Sequence, residues 1–255
     1  MLKVFRLLAA AVTALALFTP SLRAADKGAA RRMLTESEAL YRRGEFKDAM
    51  RSINSAIAAD SRNGGAYELR SRLWHAAGDL PRQKADAAKA LEFLGTGSLA
   101  VDELVAQGGA QLMLGHVDKA LASFNAALKA DQKTPAAMYA RSRVWREKGD
   151  MPKAIADLDD ALKSEPKTPL WLYSRGRAYY DKGDDTKAIA DLTAALRANK
   201  NFTLAFALVG SAMARQGDLK RRAQAPAGQR ARRAEGFRGG RPRRRSRLRA
   251  LLQPR

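Results

Sequence analysis

The chain has 255 residues and no cysteine, which excludes disulfides, thiolate metal sites and the lipidated cysteine of a bacterial lipoprotein. Its formal charge of +21 is unevenly spread: residues 221–255 carry +12, residues 1–24 carry +3, and the body between them carries only +6. The body is therefore mildly basic, and its charge does not call for a nucleic-acid partner.

At the N-terminus, Lys3 and Arg6 precede an apolar run from Leu7 to Phe18, followed by Pro20 and "SLRAAD". A basic start, a short apolar core and a small-residue end read as a secretory signal over 1–24, cleaved after Ala24. The competing reading is an uncleaved anchor, but the run falls short of the ~20 residues a spanning helix needs. The expectation is a mature bacterial protein that begins near Ala25 and is periplasmic or secreted, with no integral span.

From there the chain is periodic. Gly44, Gly78, Gly115, Gly149, Gly183 and Gly217 stand 34, 37, 34, 34 and 34 residues apart. A fixed period of this length marks a stacked repeat array rather than one globular core. Five after each glycine stand Ala49, Gln83, Ala120, Ala154 and Ala188, and nine after stand Ile53, Ala87, Phe124, Leu158 and Leu192. Twelve and thirteen after come Ala-Ile or Ala-Leu pairs from Ala56-Ile57 to Ala195-Leu196. These offsets share one helix face. Four before the glycines stand Leu40, Trp74, Gln111, Trp145, Tyr179 and Met213. Seven before stand Ser37, Ser71, Gly108, Ser142, Gly176 and Gly210. The large residues of the four-before set are expected in the core. Each unit is thus two helices. The glycine closes the first in the left-handed region, and Asp79, Asp150, Asp184 or Asp218 begins the second. The predicted units lie at about 30–63, 64–97, 101–134, 135–168 and 169–202, with a partial unit at 203–220, in an array over 25–220. The joint at "LGTGSLA" (94–100) carries three extra residues and predicts a loop or bend there.

After Lys220 the pattern stops. Arg222, Pro226 and Arg230 occupy the apolar offsets that should follow Gly217. The segment 221–255 holds 13 arginines and no lysine. It reads as a disordered arginine-rich tail from out-of-frame translation of a GC-rich gene. The alternative is a basic arm that binds anions. The out-of-frame reading implies a missing return helix, a sticky edge at Phe206, Leu208, Val209 and Met213, and a disordered 223–255.

"LWLYSRGRAYYDKGDDTKAIADLTAALRANK" (170–200) and "AAMYARSRVWREKGDMPKAIADLDDALKSEP" (136–166) resemble the tetratricopeptide repeat family in their small, aromatic, Gly-Asp, Ala and Ala-Leu positions. The resemblance runs over roughly 30–220. It implies an all-α fold of helix-turn-helix repeats stacked in a right-handed superhelix, an α-solenoid whose first helices line a concave groove. It also implies a non-catalytic module that binds a protein or peptide.

The residues agree with an absence of chemistry. His75 and His116 are the only histidines, nothing pairs them, and Asp157, Asp159 and Asp160 do not converge on a helix. Neither an enzyme nor a cofactor or metal is expected. In the groove the resemblance places Tyr139, Arg143, Arg146, Tyr173, Arg177, Tyr180 and Arg72, with Glu38, Glu68, His75 and Tyr41 at equivalent offsets. Arginine and tyrosine are common interface anchors, so an acidic or extended peptide is the expected ligand. Other readings are a scaffold for envelope assembly and a fragment of a larger repeat-containing enzyme.

Overall fold

The computed structural model describes residues 27–224. They form α-helices without a strand among the described residues: α1 (27–43), α2 (Phe46–Ala59), α3 (Gly64–Ala77), α4 (Leu80–Leu94), α5 (Val101–Met113), α6 (Val117–Ala130), α7 (Pro135–Glu147), α8 (Met151–Ser164), α9 (Pro169–Lys182), α10 (Asp185–Ala198) and α11 (Thr203–Gln224). One compact unit runs to Ala212 and holds five helix pairs, an all-α repeat solenoid. A second begins at Met213, and its described part, to Gln224, is helical. The expectations for 1–24 and for the segment beyond Gln224 lie outside the described residues.

The turns form as the sequence predicts. Gly44, Gly78, Gly115, Gly149 and Gly183 all have φ between 77° and 92°, a region where a Cβ is costly. The carboxylates of Asp79, Asp150 and Asp184 accept from the N–H three residues on, which caps α4, α8 and α10. Pro81 and Pro152 sit in the first turn of their helices, where no N–H is needed. The extra residues between repeats two and three leave an irregular connection at 95–100.

The two helices of a pair close on small residues. Ala49, Ala120, Ala154 and Ala188 are at most 1% exposed, and Ala56, Ala127, Ala161 and Ala195 are fully buried. A Cβ on Gly176 would come 2.9 Å from Leu192 and 3.2 Å from the Ala188 carbonyl, so only glycine allows that approach. Ser37 and Ser71, at the same offset, stay buried by donating to the carbonyls of Ala49 and Gln83, both at 2.8 Å. Gln83, the residue that departs from the alanine pattern, is buried because its Nε2 donates to the Met113 carbonyl at 3.0 Å.

A polar pairing, eight residues before each glycine with eight after, runs through all five repeats. Ser52 donates to Glu36 and Ser123 to Gln107. In the other three repeats the pair is Arg70–Asp86, Arg141–Asp157 and Arg175–Asp191, each bidentate at 2.7–2.9 Å. The remaining guanidinium nitrogen reaches the preceding repeat, on Asn54, Asn125 or Asp159, at 2.8–3.0 Å. Each arginine therefore ties its own pair of helices to the pair before it. At the irregular joint the equivalent partner would be Ala88, which offers no acceptor.

Two expectations are corrected. Trp74, Trp145 and Tyr179 are half-buried rather than core. The four-before position faces the first turn of the return helix, and Arg82, Lys153 and Lys187 cover these rings at 4.8, 4.7 and 5.4 Å. Second, no turn forms at Gly217. The helix α11 runs through it, and residues 221–224, placed in the tail by composition, belong to that helix. With no alanine or large apolar residue at the offsets after Gly217, folding back would bury little. Continuing the helix keeps the backbone bonded. Phe206 is 61% exposed and Met213 53%, whereas Val209 is buried.

Ala161→Leu should lower the thermal midpoint by an amount equivalent to ~1–3 kcal/mol, because the wider side chain must separate two packed helices. Ala198→Leu, at an exposed site, should change it by no more than ~0.5 kcal/mol. Thermal melts followed by circular dichroism check both; equal midpoints would mean the packing register is wrong.

Candidate functional site

The inner wall of the first unit is built from the first helices of the repeats, α1, α3, α5, α7 and α9. Its centre is an ion pair. Glu68, with a side chain only 3% exposed, accepts from Arg72 at 2.8 Å. Gly109 makes room for the carboxylate, since a Cβ there would collide with it. Burial pushes the Glu68 carboxyl above its ordinary range, and Arg72 and Arg143 pull it back. Burial alone would weaken the Arg72 charge, but Glu68, Tyr41, Tyr139 and Glu38 hold it protonated. The guanidinium also lies over the Tyr41 ring at 4.9 Å. Tyr41, from the first repeat, interacts with Tyr139, from the fourth; burial and then the Tyr139 neighbour push its hydroxyl well above the usual range.

The residues expected in the groove thus divide. Tyr139 and Tyr173 are 6% and 8% exposed and belong to the hydrophobic core. This corrects their reading as ligand-facing rings: the first and fourth repeats approach closely enough to bury Tyr139, and Tyr173 packs on Phe202 at 5.2 Å. Arg72 is committed to Glu68. The other four are Arg143, Arg146, Arg177 and Tyr180. Arg143 contacts the Met113 sulfur at 3.8 Å. Arg146 lies 3.6 Å from Glu147 and 4.0 Å from Asp181. Arg177 is exposed and donates to the Tyr173 hydroxyl at 3.2 Å. Tyr180 is half-buried on α9, one turn after Arg177.

Arg146 feels the other two arginines, whereas for Arg177 burial is outweighed by Tyr173, Asp181 and Glu147, which raise its pKa. Desolvation lowers the Arg146 pKa, and the charges of Arg177 and Arg143 lower it further. His75 joins the group from α3, with Nδ1 3.1 Å from the Gln83 side-chain oxygen. Desolvation lowers its pKa first, and the positive charges of Arg143, Arg146 and Arg177 add to that against the Gln83 hydrogen bond.

A cleft of about 550 Å³ opens between α1, α3 and α5, with Leu34, Glu38, Glu68, Arg72, Asp102 and Val105 in its lining. Desolvation raises the Glu38 pKa against the pull of Arg72, and the charges of Glu68 and Asp102 add to the rise. Sequence reasoning missed the arginine–aspartate pairings behind this wall, although Arg70, Arg141 and Arg175 share one offset from their glycines. The sixteen-residue spacing to aspartate was the available signal.

The family model of the tetratricopeptide repeat matches residues 105–169 and 152–201. Over residues 105–201 the chain is similar to tetratricopeptide repeats. Solved structures agree on the fold. A thermophilic tetratricopeptide repeat protein of Thermus thermophilus is similar at 18% identity, over 72% of this chain and 99% of that one, with a TM-score of 0.51. A repeat protein of Parabacteroides merdae is similar at 17% identity, over 71% of this chain and 70% of that one, with a TM-score of 0.50. No curated protein matches the chain in sequence. Tetratricopeptide repeats are generally modules of protein or peptide interaction and typically non-catalytic. No helix among the described residues is long and apolar enough to cross a membrane.

The His75 imidazole should titrate below the ordinary ~6.5 of a histidine. Since its folded pKa is depressed, the unfolded chain binds more protons below that ordinary value, so His75 costs stability as pH falls. Arg146→Gln should move the titration upward. A proton NMR titration of the ring checks this; an unmoved pKa would mean that the arginines do not face His75.

Proposed function

We propose that the repeat array binds a protein partner through an acidic or extended peptide, and that it does no chemistry. The observation that carries the reading is the convergence of Arg143, Arg146 and Arg177 on one side of the inner wall. Glu147 and Asp181 pair with Arg146 at 3.6 and 4.0 Å, so two carboxylates answer three guanidiniums there. Arg146, weakened by burial and by the charges of Arg177 and Arg143, gains from a carboxylate ligand, because the added anion offsets like-charge repulsion as well as forming a charge-assisted hydrogen bond. Tyr180 and Arg72 flank this ligand rather than anchor it. The chain is exported through residues 1–24, so the partner is another envelope or secreted protein and not a nucleic acid. A scaffold role in envelope assembly would use the same module.

Binding of a fluorescein-labelled hexaglutamate peptide, followed by anisotropy at low salt, tests the site. Arg143→Glu with Arg177→Glu should abolish it, and rising salt should weaken the wild type. Equal affinity of both proteins at the same salt would exclude the cluster. Fusing residues 1–30 to a reporter active only outside the cytoplasm should give activity; a silent reporter would reject the export reading.

A further inference from the structure

The first turn differs from the other four. A Cβ on Gly78, Gly115, Gly149 or Gly183 would meet nothing within 4 Å, but on Gly44 it would come 3.0 Å from the ring of Phe202. Phe202 is itself out of pattern. It directly precedes α11, the place held by Asn63, Ala100, Thr134 and Thr168 before α3, α5, α7 and α9. Asn63 uses that place to accept from the Ala66 N–H at 3.0 Å. Ala100, Thr134 and Thr168 make no side-chain cap bond either, so what sets Phe202 apart is a large apolar ring in that place, and such a ring points to a gain elsewhere.

The gain is in the first repeat. Phe202 is fully buried, with its ring 5.8 Å from Phe46 and 5.2 Å from Tyr173. Phe46 in turn lies 5.4 Å from Tyr41, so the contact reaches the inner wall. Two polar contacts flank it: Asn199 Nδ2 donates to the Arg43 carbonyl at 2.7 Å, and Arg42 pairs with Glu165 at 3.1 Å. The ion pair is 39% and 42% exposed, so it adds little. Burial of the aromatic ring dominates.

We infer that Phe202 seated on Gly44 is a latch that holds the first repeat against the fifth and keeps the inner wall closed to a peptide. With the latch shut, Tyr41 and Tyr139 touch, Arg72 lies over Tyr41, and Glu68 fills the space beside Gly109. An extended chain lying across that wall must displace these contacts. A ligand that binds the open state loses apparent affinity in proportion to the fraction that is closed. Releasing the latch therefore strengthens peptide binding. This rests on the peptide-binding reading above.

The chain has no cysteine, so spin labels at Lys47→Cys and Arg197→Cys, both exposed, report the separation of the first and fifth repeats in the full chain. Phe202→Thr installs the residue that stands before α7 and α9 and removes the ring. It should lengthen and broaden the electron-spin distance distribution, leave the helical circular dichroism unchanged, and raise hexaglutamate affinity several-fold. Should that variant unfold, Phe202→Leu is the second probe: it keeps an apolar side chain but removes the ring contacts with Phe46 and Tyr173, and should lengthen the distance to a smaller extent. An unchanged distance in the folded variants overturns the latch. A longer distance with unchanged peptide affinity overturns its control of binding. A longer distance with no peptide bound by either form supports the latch and removes the peptide reading instead.

Discussion

Everything in this molecule depends on how closely two helices of a pair can approach. Alanine twelve residues after each of the first five turns, and five residues after all of these but the second, facing serine or glycine seven residues before the turn, brings the backbones near enough for Ile53, Phe124, Leu158 and Leu192 to fill the remaining space completely. Apolar contact of this kind is not directional. The direction comes from the arginines. Arg70, Arg141 and Arg175 fix the spacing within a pair by two parallel bonds to an aspartate and the spacing between pairs by a third bond backwards. Asp86, Asp157 and Asp191 are 8%, 9% and 11% exposed, so these bonds work partly sheltered from water, where they count for more than surface pairs.

An array of this type is ordinarily a chain of neighbours, with stability summed over adjacent interfaces. The contact of Phe202 with Gly44 and Phe46 adds a term between repeats that are not neighbours. It also turns the inner wall from an open surface into a set of mutual contacts. The ligand-facing reading of Tyr139 and Tyr173 fails for this reason, while Arg143, Arg146 and Arg177 stay toward one side with their charges incompletely answered. On the proposed reading, function resides in the arginines at that side of the wall and in what holds the wall shut.

Much of the fold was legible because it is local. The glycine period, the capping aspartates and the alanine offsets each act within one turn or one helix pair, and each leaves a residue type at a fixed place. Trp74 and Trp145 were misplaced because spacing alone cannot tell a ring that faces the core from one that faces a basic side chain on the next helix. A turn at Gly217 was expected because the glycine and aspartate are present there, although the return helix itself was expected to be missing. A turn also requires the apolar face that follows it, and Pro226 and Arg230 stand where that face should be. Tyr139 was misread because an offset places a residue on a face without saying what approaches that face from a repeat far along the chain. Phe202 did break the series of Asn63, Thr134 and Thr168, and that departure could have been read as the sign of a distant contact.

Native-state hydrogen exchange across the array tests the central claim most directly, that the first and fifth pairs are joined rather than being free ends. Joined ends predict that amides in the middle of α2 and α10 open with free energies close to those of α6 and α7, as parts of one cooperative unit. Protection that falls steadily from the central pairs toward both ends, with α2 and α10 exchanging first, would contradict it.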